Sequence, residues 1–503
     1  MDRRVTKVEA VPTPATAQFL SAVERDDWAT ALEVLDEHWV ELWFAVDPAD
    51  LRNAVAEAPP HLLSTLENVN YVARATGHGH VEDLLHSEEA PGPGAAPAQV
   101  AQYIADLRLR GRPVLAMAHV HRSLERIRAQ RGRPVDGSGG AAALWLVQAA
   151  ITALLAGDAP TAKGMLLTAV DSHRPDRFPF VVREATAKLA LAYAVTGNVT
   201  EAAAVNEQAR RLPRTTSWVE AMVDDTIWLT DYTCAVDSLD PRAEELRAAR
   251  PSPMSHREFW PIALRTQVRH LVLTGRPHQA ESLCRAVASA GLPPPDADGD
   301  FLTALPDARL SISLQGAPPT SRDRSPATAQ AVLAHALHLF TTGQFGPLLQ
   351  LELPQTFDAR CHRAMALLQA QAMVAAGRPT EGHEQLRATV REVLDTGTWG
   401  TLGYLTRETL ASVRDTDDGA RAAELVERRA VPTVEVRTVL EAPLSEAEID
   451  VLRLLRDGLT REEMAERLFL SVNTVKTQLR SAYRKLGVSR RRDALVTIAR
   501  LGI

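Results

Sequence analysis

Apolar side chains return every three to four positions through residues 15–430, in stretches of about a dozen broken by short polar turns, which is the pattern of amphipathic helices. One register recurs within it: a helical stretch, a Gly-polar turn, then a small or apolar residue five positions after the Gly. It is read at Gly157 and Ala162, Gly197 and Ala202, Gly275 and Ala280, Gly343 and Leu348, and Gly377 and Gly382. Near the start, Asp26 and Ala31 occupy the same register without the Gly. Glycine suits a helix stop that needs positive φ, and a small residue in the following helix lets the two helices cross closely. The pattern therefore predicts helix pairs joined by tight turns.

The Gly turns are 40, 78, 68 and 34 residues apart, near multiples of the period of stacked helix pairs. The array resembles tetratricopeptide-type repeats, although the aromatic positions of the fuller repeat signature are missing and the exact repeat class stays open. The expectation is an all-α chain with a helical-repeat α-solenoid over 15–430 and a candidate division into two parts near 293–328. Pro/Gly/Ser-rich pieces at 87–99, 131–140, 293–300 and 315–328 read as loops. Residues 431–443 read as a linker, because the stretch around them has no helical period and carries Pro432 and Pro443. The most apolar run, 141–156, is shorter than the roughly 20 residues of a membrane span. It contains Gln148 and ends in a Gly-Asp turn, so it reads as a buried helix and no membrane partner is expected.

The last stretch, 444–503, has a different layout. Ser445 and Glu448 form a capping box ahead of Ile449, Leu452 and Leu455, and Gly458 stops the helix. Thr460 and Glu463 form a second box, opening a short helix with Met464, Ala465 and Leu468 inward. Phe469, Leu470 and Ser471 make a turn with Ser471 as N-cap. A third helix runs from about Val472 to Leu486, and a fourth begins after Ser489, burying Leu495 and Ile498. On the third helix Val475, Leu479, Ala482 and Leu486 form the core stripe. Lys476, Arg480 and Arg484 share another face, with Asn473, Thr477 and Ser481 beside them. Two short helices joined by a three-residue turn make a helix-turn-helix, and its second helix can present donors to the DNA major groove.

Charge sharpens this reading. The chain carries a net −7, yet residues 444–503 hold 12 Lys and Arg against 8 Asp and Glu. From Ser471 to Arg492 there are seven cations and no acid, as expected of a surface that meets a polyanion.

Across 444–503 the sequence resembles the LuxR-type helix-turn-helix family. The landmarks are Glu448, Val451-Leu452, Gly458, Ala465, Leu468, Ser471, Thr474-Val475-Lys476, Lys485-Leu486-Gly487-Val488 and Arg492. Its phrasing is most similar to large LuxR regulators of the maltose-activator kind, which pair this domain with a helical-repeat sensor and an ATPase. The resemblance implies base contacts from Lys476, Thr477 and Arg480, and phosphate contacts from near Thr460, Thr474, Arg484 and the Arg490, Arg491, Arg492 cluster. Gln478 stands where the family commonly has His, and it can donate to a phosphate or an adenine edge. Ser471, Asn473, Ser481 and Lys485 complete the set expected at the DNA. The family's habit of binding inverted half-sites as a dimer makes residues 490–501, with Leu495, Ile498 and Leu501, the candidate dimer contact.

Other chemistry is absent from the pattern. The five lysines, Lys7, Lys163, Lys188, Lys476 and Lys485, are none of them preceded by Gly, so there is no P-loop and no nucleotide cofactor is expected. The His78-Gly79-His80 and His119-Val120-His121 pairs lack a third ligand nearby, and no metal is expected. Trp28, Trp39 and Trp43 read equally as helix packing or as pocket lining. Three widely spaced cysteines, Cys234, Cys284 and Cys361, with no apolar leader at the N-terminus, fit a reducing cytoplasm. The expectation is a non-enzymatic, sequence-specific transcriptional regulator. Its partners would be double-stranded DNA, RNA polymerase and a small-molecule or protein effector on the repeats, and it would act as a homodimer on DNA. The alternative is an interaction scaffold whose terminal helix-turn-helix is a docking module.

Overall fold

The computed structural model describes residues 13–46, 48–59, 92, 97–130, 141–171, 179–214, 220–312, 328–435, 444–486, 488, 491, 494–495 and 498. Every regular element among the described residues is helical. The chain begins with α1 (Pro14–Glu24), α2 (Trp28–Ala45), α3 (Pro48–Glu57), α4 (Pro97–Leu109), α5 (Pro113–Gln130), α6 (Ala141–Leu155), α7 (Ala159–Asp171), α8 (Pro179–Val195) and α9 (Val199–Arg211). It continues with α10 (Glu220–Asp237), α11 (Arg242–Ala249), α12 (Trp260–Leu273), α13 (Pro277–Ser289), α14 (Gly299–Ile312), α15 (Ala329–Thr341) and the single turn α16 (Phe345–Leu348). After these come α17 (Ala359–Ala375), α18 (Pro379–Thr396), α19 (Arg407–Ser412) and α20 (Asp417–Arg428), and finally α21 (Glu446–Arg456), α22 (Arg461–Leu468) and α23 (Val472–Lys485). Short 3₁₀ turns precede α12 and α19.

The recurrent turn is built the same way each time. Gly157, Gly197, Gly275, Gly343 and Gly377 all have positive φ, between 70° and 89°, and Asp26 adopts φ 57° in their place. The amide after each of them donates back across the helix end: Asp158 to Ala153, Asn198 to Tyr193, Arg276 to Leu271, Gln344 to Leu339, Arg378 to Met373 and Asp27 to Ala22. This is the Schellman closure, which satisfies carbonyls that a helix end leaves orphaned. Five residues on, Ala162, Ala202, Ala280 and Leu348 are fully enclosed. At Gly382 a Cβ would stand 2.7 Å from the Ala370 carbonyl oxygen, so the α17–α18 crossing admits no side chain there. A seventh copy, Gly111 (φ 81°) with fully buried Ala116, carries the same signal but was not picked out by the sequence pattern.

One hydrophobic cluster runs from Ala15 to Ala308, and two more fill the region between 232 and 434. The apolar run at 141–156 is α6, and it is packed against α4, α5 and α7. Its Gln148 is tied down, because the buried Arg108 donates to Gln148 Oε1 (2.7 Å) and to the Glu258 carboxylate (2.6 Å). No helix among the described residues is long and apolar enough to cross a membrane. All three cysteines are buried and reduced, and burial pushes the Cys234 and Cys284 thiols up to about 12.

Part of the expected linker is not one. Val431 and Val434 are buried in the clusters of the array, and the Val434 amide donates to the Gly403 carbonyl. Two valines three apart on a non-helical segment carry no helical period, which is why the stretch read as free chain. Residues 436–443 of that stretch lie outside the described residues, as do the His78-Gly79-His80 pair and most of the predicted loops at 87–99, 131–140 and 315–328. His119 is a packing residue, buried edge-on against Tyr103 at 4.8 Å. Trp39 is buried in the first cluster, and Trp28 packs against it.

Candidate nucleic-acid interface

Residues 444–498 have a core of their own, made of Val451, Leu452, Leu455, Met464, Ala465, Val475, Leu479, Ala482, Leu486, Ala494 and Ile498. Both predicted capping boxes are formed. The Ser445 amide donates to Glu448 Oε2 (2.7 Å) and the Glu448 amide to Ser445 Oγ (3.3 Å). Thr460 and Glu463 repeat the arrangement at the head of α22 with the same distances. The α22–α23 turn passes through Phe469 at φ 55°, a conformation in which few residues other than glycine are found. Leu470 then donates to the Ala465 carbonyl (2.9 Å), closing α22. Ser471 caps α23 by accepting from the Thr474 amide (3.0 Å), and its hydroxyl lies 2.7 Å from that of Thr474.

α23 separates its faces as expected. Val475, Leu479 and Ala482 are buried, whereas Asn473, Lys476, Thr477, Arg480 and Arg484 are exposed. Thr474, Gln478 and Ser481 are half-buried at the margin. The Thr477 hydroxyl donates within the helix to the Asn473 carbonyl (2.9 Å), leaving its methyl and lone pairs outward. Gln478 has its Oε1 enclosed and unpartnered among the described residues, so its Nε2 donor is the end available to solvent. Two cations in the last turn of α23 are matched to the helix dipole, and its first turn carries no acid, so the positive end of the dipole is not neutralised by the helix itself.

Two predicted contacts come together outside α23. Arg491 donates to the Leu459 carbonyl (3.3 Å), which brings its guanidinium beside the exposed Thr460. The Thr460 oxygen accepts from the Glu463 amide, and its hydroxyl and amide both hold the Glu463 carboxylate down. Arg490 and Arg492 lie outside the described residues.

Lys485 is placed differently from the other cations. Its Nζ donates to Glu448 Oε2 at 2.6 Å, with the lysine one-fifth exposed and the carboxylate nearly buried. Burial works against that carboxylate. The Lys485 ammonium, the Ser445 amide and the Ser481 hydroxyl nevertheless hold it down to about 2. The pair fastens α23 to the head of α21.

Residues 442–498 match the family described as bacterial regulatory proteins, luxR family. The C-terminal unit is a LuxR-type helix-turn-helix domain. The chain is also similar to two proteins named HTH-type transcriptional regulator MalT, from Vibrio campbellii and Vibrio parahaemolyticus, each 37% identical over 78 residues. That match takes in 16% of this chain and only 8% of the length of either relative. No solved structure matches the chain.

The LuxR-type domain has one feature that the sequence pattern did not bring out. Phe469 is 96% exposed, with the partly exposed Leu470 and Val472 beside it, so an apolar tip stands at the entrance to α23. In the sequence it is an aromatic residue inside a turn between two capped helices. Ile498 is fully enclosed in the core of the domain, as expected of the fourth helix, while Leu495 is half-buried and Leu501 is outside the described residues.

Proposed function

We propose that the chain is a sequence-specific DNA-binding transcriptional regulator whose LuxR-type domain lays α23 in the major groove. Lys476, Thr477 and Arg480 read base edges, and Asn473, Gln478 and Ser481 flank them. Thr460, Ser471, Thr474, Arg484, Arg490, Arg491 and Arg492 hold phosphates. Lys485 belongs to the fold of the domain more than to the DNA. The observation that carries the reading is the exposed, acid-free face of a capped α23, on a unit that matches the luxR family. The helical array senses a small molecule or protein, and the protein binds DNA as a homodimer that contacts RNA polymerase. These roles go beyond the MalT likeness, which covers 78 residues.

The test is selection of genomic fragments by the full-length protein at one stated salt concentration, beside the Lys476→Ala/Arg480→Ala double variant. A shared motif recovered by the wild type alone supports the reading. No motif from the full-length protein, with or without an effector, and none from 430–503 alone would leave the interaction scaffold as the better account.

A further inference from the structure

A cavity of about 430 Å³ opens inside the helical array, where α12, α14, the head of α17 and the loop before it converge. Its volume lies in the range of small-molecule pockets, roughly 300–1,000 Å³. The walls combine charges of both signs with an apolar shelf.

On one side, α12 presents Arg265 and Arg269, one turn apart. Arg269 Nε lies 2.9 Å from Asp237 Oδ1, and among the described residues neither terminal nitrogen of Arg269 has a hydrogen-bond partner. Arg265 spends one terminal nitrogen on Asp300. About a quarter of each arginine side chain remains accessible. Burial pulls the Arg269 guanidinium below its ordinary value against the attraction of Asp237, so it is a cation short of negative charge. The third arginine of the cavity, Arg360, is saturated: Asp237, Asp358 and the carbonyls of Ala194 and Val195 take its donors. It forms the floor.

On the other side, α14 presents Asp307. Its Oδ1 accepts from the Thr328 hydroxyl (2.8 Å), and no guanidinium bonds it directly among the described residues. Burial, aided by Asp300, pushes this carboxyl up, while Arg265 and the Thr328 and Thr303 hydroxyls pull it back only in part, so it is an acid with hydroxyl donors and no ion-paired cation of its own. Pro306 lies inside the same helix and has no N–H, which deprives the Leu302 carbonyl of its i+4 donor one turn away. A carboxylate and a carbonyl without its i+4 amide, on one helix, can both accept from an ammonium group. Leu302 and Phe357 are among the large apolar side chains left exposed, and both line this cavity.

We propose that the cavity binds a small zwitterion of the α-amino-acid type, its carboxylate on the Arg265–Arg269 fork, its ammonium at Asp307 and its side chain on Leu302 and Phe357. A ligand of a single charge would satisfy one wall and leave the other unpaired, which costs as much as it gains. This deepens the sensor half of the proposed function, and it rests on that reading only for the consequence at DNA.

The experiment is isothermal titration calorimetry of the full-length protein with each proteinogenic L-amino acid. For the tightest, the amine lacking its carboxylate and the acid lacking its amino group follow. At least one amino acid should bind, and both truncated analogues should bind at least about tenfold more weakly. Asp307→Asn should weaken binding by a similar factor, and Leu302→Trp, at a position already exposed, should block it without lowering the melting temperature. No binding by any amino acid, or an amine or acid that binds as tightly as its parent, overturns the proposal. So does wild-type affinity in both variants. Fragment selection repeated with the bound amino acid separates the two readings. A changed DNA affinity supports sensing through this site. An unchanged one removes the sensing role and leaves both the cavity's ligand and the DNA reading in place.

Discussion

Replacing Lys485 by Met should weaken the LuxR-type domain without changing the salt dependence of DNA binding. The reasoning starts from Glu448, whose carboxyl is held from its ordinary 4.5 down to about 2. A shift of that size corresponds to roughly 3 kcal/mol if the whole of it stabilised the fold. Lys485 shares the effect with the Ser445 amide and the Ser481 hydroxyl, and the lysine is one-fifth exposed, so solvent screening leaves it about 1 kcal/mol. The carboxyl is depressed in the folded state. Its contribution is therefore complete above about 4.5 and is lost as pH falls towards 2. Native-state hydrogen exchange on the full-length variant at neutral pH should show the α21 amides exchanging about fivefold faster. The slope of log affinity against log salt should stay at the wild-type value. Arg484→Ala should do the reverse, leaving exchange unchanged and flattening the slope by about 0.9 for one lost phosphate contact. A flattened slope with unchanged exchange in Lys485→Met would refute the assignment of this lysine to the fold.

Three further outcomes are expected. Lys476→Ala and Arg480→Ala should each cost roughly 1–3 kcal/mol at the selected site and far less on random DNA in fluorescence anisotropy, and equal losses on both would sink base readout. Gly382→Val should destabilise the array by about 1–3 kcal/mol in chemical denaturation, since its Cβ would meet the Ala370 carbonyl at 2.7 Å. Gly157→Ala, with nothing within 4 Å, should cost only the roughly 1 kcal/mol of its positive φ. His270, which shares a 3.0 Å hydrogen bond with the Tyr232 hydroxyl, is held down to about 4, chiefly by burial. Its contribution is present above the ordinary 6.5 and lost as pH falls towards 4. His270→Gln should therefore flatten the decline of the melting temperature between pH 7 and pH 5, and an unaltered decline would count against it.

What could be read from the sequence was local. Each turn of the array is closed within six residues, so a Gly and a small residue five positions later announce both the positive φ and the close crossing. Gly111 and Ala116 obey the same rule and needed only to be searched for. The faces of α23 were legible for the same reason, because helical spacing alone decides that Val475 and Leu479 point one way and Lys476 and Arg480 the other. The Lys485–Glu448 pair was not legible because its partners lie 37 residues apart. Nothing in a run of basic residues distinguishes a cation that meets DNA from one that locks a capping box. Ile498 carried two expectations, core and dimer contact, since a spacing of apolar residues on a last helix fits both, and it lies in the core.

The cavity was invisible to sequence reading because its charges come from separate helices: Arg265 and Arg269 from α12, Asp300 and Asp307 from α14, and Arg360 from α17. Its position in the packing gives it weight. The first and third hydrophobic clusters of the array remain distinct, and residues lining the cavity stand between α14 and α17. Buried ion pairs rarely outstabilise well-packed apolar side chains of similar volume, because each charge must first be stripped of water. Stability alone would favour filling this junction with leucine and valine, as α6 is filled. Charges held here in incompletely neutralised pairs, around enough space for a small molecule, make more sense as groups waiting for a ligand's charges than as cement.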